Sequence, residues 1–220
     1  MTPTILWFRR DLRLQDHTAL TAAIARGGPV IAVFICDAQV ESLGAAPKWR
    51  LGLGIEALQS ALEAKGNRLI LRRGSAFEEL KALVAETGAQ TVYWQRAYDP
   101  TSQERDAAVK AALLELGVEA QSFKGHLLFE PWTVQTKVGG FFKVYTPMWY
   151  SVRGRDVPAP LLEPASVTAP GAFPASDSLA DWRLGRHMWR GGAILAVFAR
   201  VWAAHALAAL GGCHHARVAL

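Results

Sequence analysis

The sequence lacks the features by which secreted and membrane proteins are usually recognised. Cys36 and Cys213 are its only cysteines, too few for a disulfide framework, and this favours a reducing compartment. Two arginines follow the first apolar run at once, so no signal peptide is expected. The apolar stretch 191–212 is long enough to span a bilayer, but Arg200 lies inside it and a charge is costly in lipid. We therefore expect a cytoplasmic protein without membrane contact.

Motifs that bind phosphate groups or build common active sites are also missing. No G-x-G-x-x-G follows the first predicted strand, and neither a P-loop motif nor a G-x-S-x-G nucleophile elbow occurs. These absences argue against an ordinary dinucleotide site, a P-loop NTPase and an α/β-hydrolase. Near the end of the chain, Cys213-His214-His215 has no second cluster of ligands to complete a metal centre. We predict no metal site.

The composition provides for a folded core. Apolar residues make up 51% of the 220 residues, aromatic residues 10% and charged residues 20%, which excludes wholesale disorder. The length fits one generous domain, or one domain with an appendage. A net charge of +5 permits contact with nucleic acid or other anions but does not require it.

Five short apolar runs alternate with helical patterns over about the first 125 residues. The runs cover residues 4–8, 29–35, 68–71, 90–95 and 118–123. Between them, apolar residues recur at helical spacing, and glycines end several of the helices. Parallel strands require crossover connections of this kind. We therefore predict an α/β fold, Rossmann-like and doubly wound, with a five-stranded parallel sheet and helices on both faces.

The alternation stops after the fifth run, and the rest of the chain divides by composition. We predict that the α/β core covers residues 1–130 and that an aromatic extension of the same domain covers 131–156. Residues 157–178 contain five prolines among small residues and predict an extended linker. Residues 179–220 are predicted to be the start of a helical region.

The first predicted strand leads into a charged loop. Residues 9–13 carry three arginines and one aspartate, and Asp16 is expected to cap a helix that begins near His17. In an open α/β sheet, ligands bind where the strands end at their carboxyl side. From these residues alone, a ligand-binding edge and a solvated, salt-bridged turn are equally good interpretations.

Residues 6–20, LWFRRDLRLQDHTAL, resemble the amino-terminal motif of the DNA photolyase and cryptochrome family. Further matching pieces follow in the family's order: VIAVFI at 30–35, WRLG at 49–52, YDP at 98–100 with RD at 105–106, GGFFKVYTP at 139–147 and LADWRLG at 179–185. The resemblance covers about residues 4 to 190. In this light the charged loop at 9–13 is interpreted as a brace between domains.

The resemblance implies an α/β domain beside a larger helical domain. In the family, the helical domain holds FAD, and light drives electron transfer from reduced flavin to a pyrimidine dimer in DNA. The α/β domain can hold an antenna chromophore. The resemblance thus implies the amino-terminal domain of a deoxyribodipyrimidine photolyase. The alternative is a stand-alone module that binds a chromophore or a nucleotide and has no enzymatic activity.

The sequence departs from the family where it ends, at Leu220, because the flavin domain would be expected to begin there. We therefore expect a truncated or frameshifted form that is inactive alone, with no catalytic residue to carry over. DNA binding is expected only in the full-length family context. The aromatic extension and the last helix are expected to pack against the helical FAD domain.

A second departure concerns the antenna. Family members that bind folate carry Asn-Glu after the Tyr-acid pair, whereas Thr101 and Ser102 stand here. The resemblance therefore implies a deazaflavin or flavin rather than a folate. By position, the candidate antenna-binding residues are Cys36, Asp37, Ala38, Lys48, Arg50, Leu51, Gln95, Tyr98, Asp99 and Glu104.

Overall fold

The computed structural model describes residues 1–186 and 188. Its centre is a sheet of five parallel strands in the order β3-β2-β1-β4-β5. The strands are β1 (Thr4–Phe8), β2 (Val30–Cys36), β3 (Leu69–Arg73), β4 (Thr91–Gln95) and β5 (Glu119–Phe123). The predicted doubly wound α/β fold is confirmed, and each strand end lies within two residues of its expected place.

Helices cover both faces of the sheet. They are α1 (Thr18–Arg26), α2 (Ala38–Glu41), α3 (Ala45–Ala64), α4 (Ala76–Thr87), α5 (Pro100–Glu115), α6 (Tyr145–Val152) and α7 (Leu179–Trp182), with a 3₁₀ turn at Pro131–Thr133. Apolar side chains of α1 and α3 pack on one face, and those of α4 and α5 pack on the other. The earlier crossover helices, α1 and α3, therefore belong to one hydrophobic layer, and the later ones, α4 and α5, belong to the other.

The central strands β1 and β2 are buried along their whole length. In β1, Leu6 and Phe8 face the layer of α1 and α3, whereas Ile5 and Trp7 face the layer of α4 and α5. Each fully buried side chain of this size contributes about 1.5–3 kcal/mol of transfer free energy. Burial on both faces explains why these strands read as unbroken apolar runs.

The predicted cap of α1 is wrong. The N-cap is His17, whose Nδ1 accepts the backbone N–H of Leu20 at 3.0 Å. Asp16 lies one residue earlier with a φ of 50°, and its Oδ1 accepts the N–H of Leu161 at 3.1 Å. The carboxylate that the local pattern assigned to the start of the helix thus binds a backbone N–H that is 145 residues away in the sequence.

The Pro-rich segment predicted as a linker has no regular secondary structure, and it lies against the core. Val167 is buried in the layer of α1 and α3. The carbonyl of Thr168 accepts the N–H of Val30 at 2.9 Å, and the N–H of Asp177 donates to the carbonyl of Leu71 at 2.8 Å. The division of the chain into domains stays a prediction.

The aromatic extension behaves differently. Most of its large apolar side chains are exposed, namely Trp132, Val138, Phe141, Val144, Tyr145, Trp149 and Tyr150. Within α6, only Val152 is buried. This stretch therefore presents an apolar surface on the described part of the chain.

Some of the predicted segments lie outside the described residues. These are the predicted helix at 191–212, the Cys213-His214-His215 tail and most of the predicted helical region. Within residues 1–186, no helix has both the length and the hydropathy needed to cross a membrane. Over the same residues, no three His, Cys, Asp or Glu side chains are grouped so that they could hold a metal ion.

Candidate functional site

A cavity of about 330 Å³ opens at the carboxyl ends of β1, β2 and β4. Strands β1 and β4 are neighbours in the sheet, but the connections that leave them run in opposite directions. This reversal is the topological switch point, where open α/β sheets form a crevice that binds ligands. The cavity therefore lies where the fold itself predicts a site.

The floor of the cavity is apolar. Trp7, Phe34 and Ile35 line it from the ends of β1 and β2, and Leu51 of α3 closes one side. The indole of Trp7 packs edge-on against Trp94, with ring centroids 6.0 Å apart. Trp7, Phe34 and Ile35 are at most 3% exposed, so they form a rigid apolar base to the cavity rather than an open aromatic surface.

Two arginines lie over the Trp7 ring, with their guanidinium carbons 4.8 Å (Arg9) and 4.9 Å (Arg105) from its centroid. Both bind Asp106: Arg9 Nη1 lies 2.6 Å from Oδ2, and Arg105 Nη2 lies 2.9 Å from Oδ1. Arg105 Nη1 also lies 2.7 Å from Oδ2 of Asp37. The four side chains carry two positive and two negative charges and are between 7% and 20% exposed. The charges of this network therefore balance, and its ion pairs hold the four side chains in place beside the apolar floor.

The segment between β2 and α3, which we call the arm (residues 37–44), forms one wall. Oδ1 of Asp37 accepts the N–H groups of Gln39 and Val40 at 3.0 and 3.1 Å and caps α2. Oε1 of Gln39 accepts bonds from Arg105 at 2.7 Å and from the hydroxyl of Ser102 at 3.1 Å. The arm is therefore tied to α5 across the cavity.

The opposite wall is the start of α5. Asp99 caps this helix by accepting the N–H of Ser102 at 2.9 Å, and Pro100 follows at the first helical position. Partial burial raises the pKa of Asp99, but hydrogen bonds from Ser102 and the charge of Arg10 outweigh it and lower the pKa below its ordinary value. Asp99 is therefore ionised at neutral pH.

Beneath the charged loop lies a buried pair. His17 Nε2 is 2.9 Å from Oδ2 of Asp11, and both side chains are almost fully buried. Burial raises the pKa of Asp11, but the contact with His17 and the N–H and charge of Arg9 overcome this and lower it to about 2. The pair thus anchors the loop that brings Arg9 to the cavity.

Two further side chains of the wall have shifted pKa values. Burial lowers the pKa of His126, so this ring is mostly uncharged at neutral pH. Burial and the neighbouring Glu130 raise the pKa of Tyr98, whose hydroxyl lies 3.0 Å from Oε2 of that carboxylate. Near neutral pH the cavity is thus lined by neutral rings and paired charges.

The structure brings some of the predicted residues together. Asp37, Leu51, Tyr98 and Asp99 line the cavity. Cys36 and Gln95 are buried at the ends of β2 and β4, just outside its lining. Burial first, and then the charge of Glu41, raise the pKa of the Cys36 thiol to about 11, so it is not a reactive thiolate.

The other predicted residues lie further out. Ala38, Arg50 and Glu104 are exposed on α2, α3 and α5. The amine of Lys48 donates to the carbonyl of Glu41 at 2.6 Å. These four positions are outside the cavity lining, and their part in binding stays a prediction.

The side chains of the charged loop bind groups of the α/β core, and the interpretation of this loop as a brace between domains stays a prediction. Arg9 binds Asp106, Arg10 lies 3.7 Å from Asp99, and Arg13 donates to the carbonyl of Gly125 at 2.9 Å. Arg9 and Arg10 also line the cavity.

Several cavity residues were missed, including Gln39, Ser102, Arg105 and His126. One signal could have found two of them. Ser102, Arg105 and the buried Val109 follow at spacings of three and four, so they share the inner face of α5. His126 stands in an irregular stretch, where no periodicity indicates the direction of a side chain.

A larger cavity, of about 680 Å³, lies on the other side of α5, near the ends of β4 and β5. Its wall includes Trp132 and Phe141 of the aromatic extension, together with Arg96 and Lys110. The ends of β1 and β2 take no part in it, so it is not the switch-point crevice. The smaller cavity is therefore the candidate site.

The motif at residues 6–20, the strand order and the site at the switch point agree with one family. A sequence model of DNA photolyase matches residues 4–165. The chain belongs to the DNA photolyase family. Members of this family bind FAD and an antenna chromophore.

Curated relatives include photolyases and cryptochromes. The deoxyribodipyrimidine photo-lyase of Agrobacterium fabrum (strain C58) is 48% identical over 183 residues, which are 83% of this chain and 38% of that protein. Cryptochrome-1 of Arabidopsis thaliana is 36% identical over 170 residues, 74% of this chain and 25% of that protein. The chain thus spans between a quarter and two fifths of the length of these photolyase-family relatives.

Photolyases are also found among the solved structures that resemble this chain. A bacterial class III photolyase from Agrobacterium tumefaciens superposes with a TM-score of 0.81 and 47% identity, over 84% of this chain and 38% of that one. An archaeal photolyase from Sulfolobus tokodaii has a TM-score of 0.66 at 23% identity, over 84% of this chain and 42% of that one. The second likeness shows the fold alone.

Proposed function

We propose that this chain is the light-harvesting α/β part of a deoxyribodipyrimidine photolyase. In this proposal the switch-point cavity binds a planar antenna chromophore, a flavin or a deazaflavin. The observation that carries it is a cavity at the switch point with a buried apolar base and a few charged side chains that already bind one another. Small-molecule sites have this character: an apolar surface with a few fixed polar groups.

The size of the cavity supports a single ring system. Its volume of about 330 Å³ is near the lower end of the range for small-molecule sites, about 300–1,000 Å³. A tricyclic ring with a short side chain suits this space better than a complete dinucleotide does. The absence of a phosphate-binding loop supports the same choice.

The residues at the start of α5 support a flavin-type ring over a folate. Ser102, which stands where folate-binding members carry an acid, is buried and already bonded. Its hydroxyl contacts Gln39 at 3.1 Å and its N–H donates to Asp99 at 2.9 Å. The Sulfolobus tokodaii photolyase is described as holding two FAD molecules, with the implication of a novel light-harvesting cofactor. That description agrees with a flavin-type antenna on this fold.

We propose further that light captured in this cavity serves repair of pyrimidine dimers in DNA, since photolyases act on DNA. Repair then needs an FAD-bearing helical part like that of the relatives. The exposed aromatic side chains of the extension support packing of such a part on this surface, because large apolar patches mark interaction sites.

Ligand titration tests the site. The purified protein would be titrated with riboflavin, 5-deazariboflavin and 5,10-methenyltetrahydrofolate, and binding followed by ligand fluorescence and absorbance. We expect the two flavin-type compounds to bind and the folate not to bind. Leu51→Trp should abolish binding by filling the cavity. Leu114→Trp, at an exposed leucine of α5, should not. Binding of the folate alone, or binding unaffected by Leu51→Trp, would contradict the proposal.

A further inference from the structure

We infer that Arg105 is a positioning residue that holds the arm closed over the cavity and so sets how long a ligand stays bound. That Arg105 holds the arm is inferred from the contacts described above. That it sets the residence time of a ligand rests on the proposed function. The two are therefore tested by separate measurements.

The arm lines the cavity and has little packing against the core. Gln39, Val40 and Leu43 line the cavity from the arm. The helix inside the arm, α2, has no buried side chain, and Val40 is only partly buried against the core. Segments with so few buried apolar contacts open at low free-energy cost. Polar contacts must therefore keep the arm in place.

The strongest polar contacts come from α5. Arg105 Nη1 reaches both Oδ2 of Asp37 and Oε1 of Gln39, each at 2.7 Å. At the end of α2, the pair formed by Glu41 and Arg73 is about half exposed, at 46–47%. Exposed pairs contribute little, because water screens them. Helix α5 thus holds the arm through Ser102, which makes one bond to Gln39, and through Arg105, which bonds both Asp37 and Gln39 and makes the larger contribution.

Arg105 is itself held in place. Its Nε and Nη2 bind Oδ1 of Asp106 at 3.1 and 2.9 Å, and its guanidinium lies over Trp7. Asp106 is held in turn by Arg9. One guanidinium therefore bonds the arm with one nitrogen and α5 with the other two. A lysine has a single ammonium and cannot make both sets of bonds.

Amide hydrogen exchange of the unliganded protein tests the first statement. Arg105→Lys keeps the charge but loses the double attachment, so amides of residues 38–44 should exchange about tenfold to a hundredfold faster. Amides of β1 and β2 should not change. Arg72→Lys is the matched control: Arg72 is equally enclosed and lies near two carboxylates, those of Glu79 and Glu86, outside the cavity.

Gln39→Ala is a second variant, which distinguishes loosening of the arm from a general loss of stability in Arg105→Lys. It removes one of the two acceptors that Arg105 has on the arm, together with the bond from Ser102, but leaves Arg9, Arg105, Asp37 and Asp106 paired. It should also speed exchange in the arm alone. Unchanged arm exchange in either variant would overturn the inference, and so would an equal increase in Arg72→Lys.

Release of riboflavin tests the second statement. In Arg105→Lys, release followed by stopped-flow fluorescence should be about tenfold faster, while association changes less than about threefold. A merely structural defect would lower the fraction of binding protein and leave the release rate of the remainder unchanged, and that result would overturn the statement about the ligand. If riboflavin does not bind the unaltered protein, the proposed function fails, whereas the exchange result still decides whether Arg105 holds the arm.

Discussion

Two consecutive stretches outside the alternating core, the aromatic extension (131–156) and the Pro-rich segment (157–178), meet the rest of the protein in different ways. The extension is rich in large apolar side chains, yet most of them are exposed. The Pro-rich segment has the composition of a linker, yet Val167 is buried in the core and Thr168 bonds β2. Composition alone would predict the reverse.

The difference has a physical cause. Strand β3 is at the edge of the sheet, so its outer N–H and C=O groups lack a strand partner. Ser176 and Asp177 satisfy those groups of Leu71, by a side-chain hydroxyl at 2.9 Å and a backbone N–H at 2.8 Å. An extended chain suits this role. The aromatic side chains of the extension find no comparable apolar surface on the described part of the chain.

The largest expected effect comes from a charge placed at the two contrasted valines. Val167 is 1% exposed and Val144 is 63% exposed. Val167→Asp should lower the free energy of unfolding by about 3 kcal/mol or more, because it buries an unpaired carboxylate. Val144→Asp should change it by less than about 0.5 kcal/mol. Urea denaturation followed by circular dichroism measures both, and equal losses would remove the contrast.

A second contrast concerns carboxylates. Asp11 is buried with its pKa lowered to about 2, so its ionised form stabilises the fold above the unfolded pKa near 4, and that stability is lost as the pH falls toward 2. Asp11→Asn should cost about 2.5 kcal/mol at pH 7 and flatten the pH dependence below pH 4. Asp156→Asn, at an exposed position in the extension, is the control. A loss that persists unchanged at pH 2 would contradict this origin.

Asn67 tests how the Pro-rich segment is held. Its buried amide nitrogen donates to the carbonyls of Val30 at 2.9 Å and Thr168 at 3.1 Å. Asn67→Ala should lower the free energy of unfolding by about 1–2 kcal/mol. Gln135→Ala, at an exposed amide of the extension, should have almost no effect. If the two variants unfold at the same urea concentration, the segment is not held by this amide.

The smallest effect on stability is expected in the extension. Trp149 stacks on Tyr145 at 6.5 Å between ring centroids, and both are exposed. Trp149→Ala should change the free energy of unfolding by less than about 0.5 kcal/mol. It should, however, reduce binding of a hydrophobic fluorescent dye, because the exposed apolar patch becomes smaller. Unchanged dye fluorescence would mean that these rings do not form such a patch.

Local pattern predicted the fold better than the site. The strands were found because β1 and β2 are buried on both faces and read as unbroken apolar runs. The cap of α1 was wrong because Asp16 is used by Leu161, a contact that no local rule includes. Asp37 and Asp99 were expected near one another because polar residues after parallel strands meet at one edge, and both line the cavity.

The rest of the site depends on tertiary geometry. Arg105 reaches the cavity because of the rotation of α5 about its axis, which the spacing of Ser102 and Val109 indicates only once the helix is placed. His126 reaches it from an irregular loop. Which charges pair with one another, as Arg9 does with Asp106, follows from packing rather than from sequence spacing.

A crystal structure of the protein with riboflavin would test most directly whether the switch-point cavity is the chromophore site. The isoalloxazine ring should lie in the switch-point cavity, between the arm and α5. Density for the ring in the outer cavity beside Trp132, or an empty switch-point cavity at saturating riboflavin, would contradict the proposal.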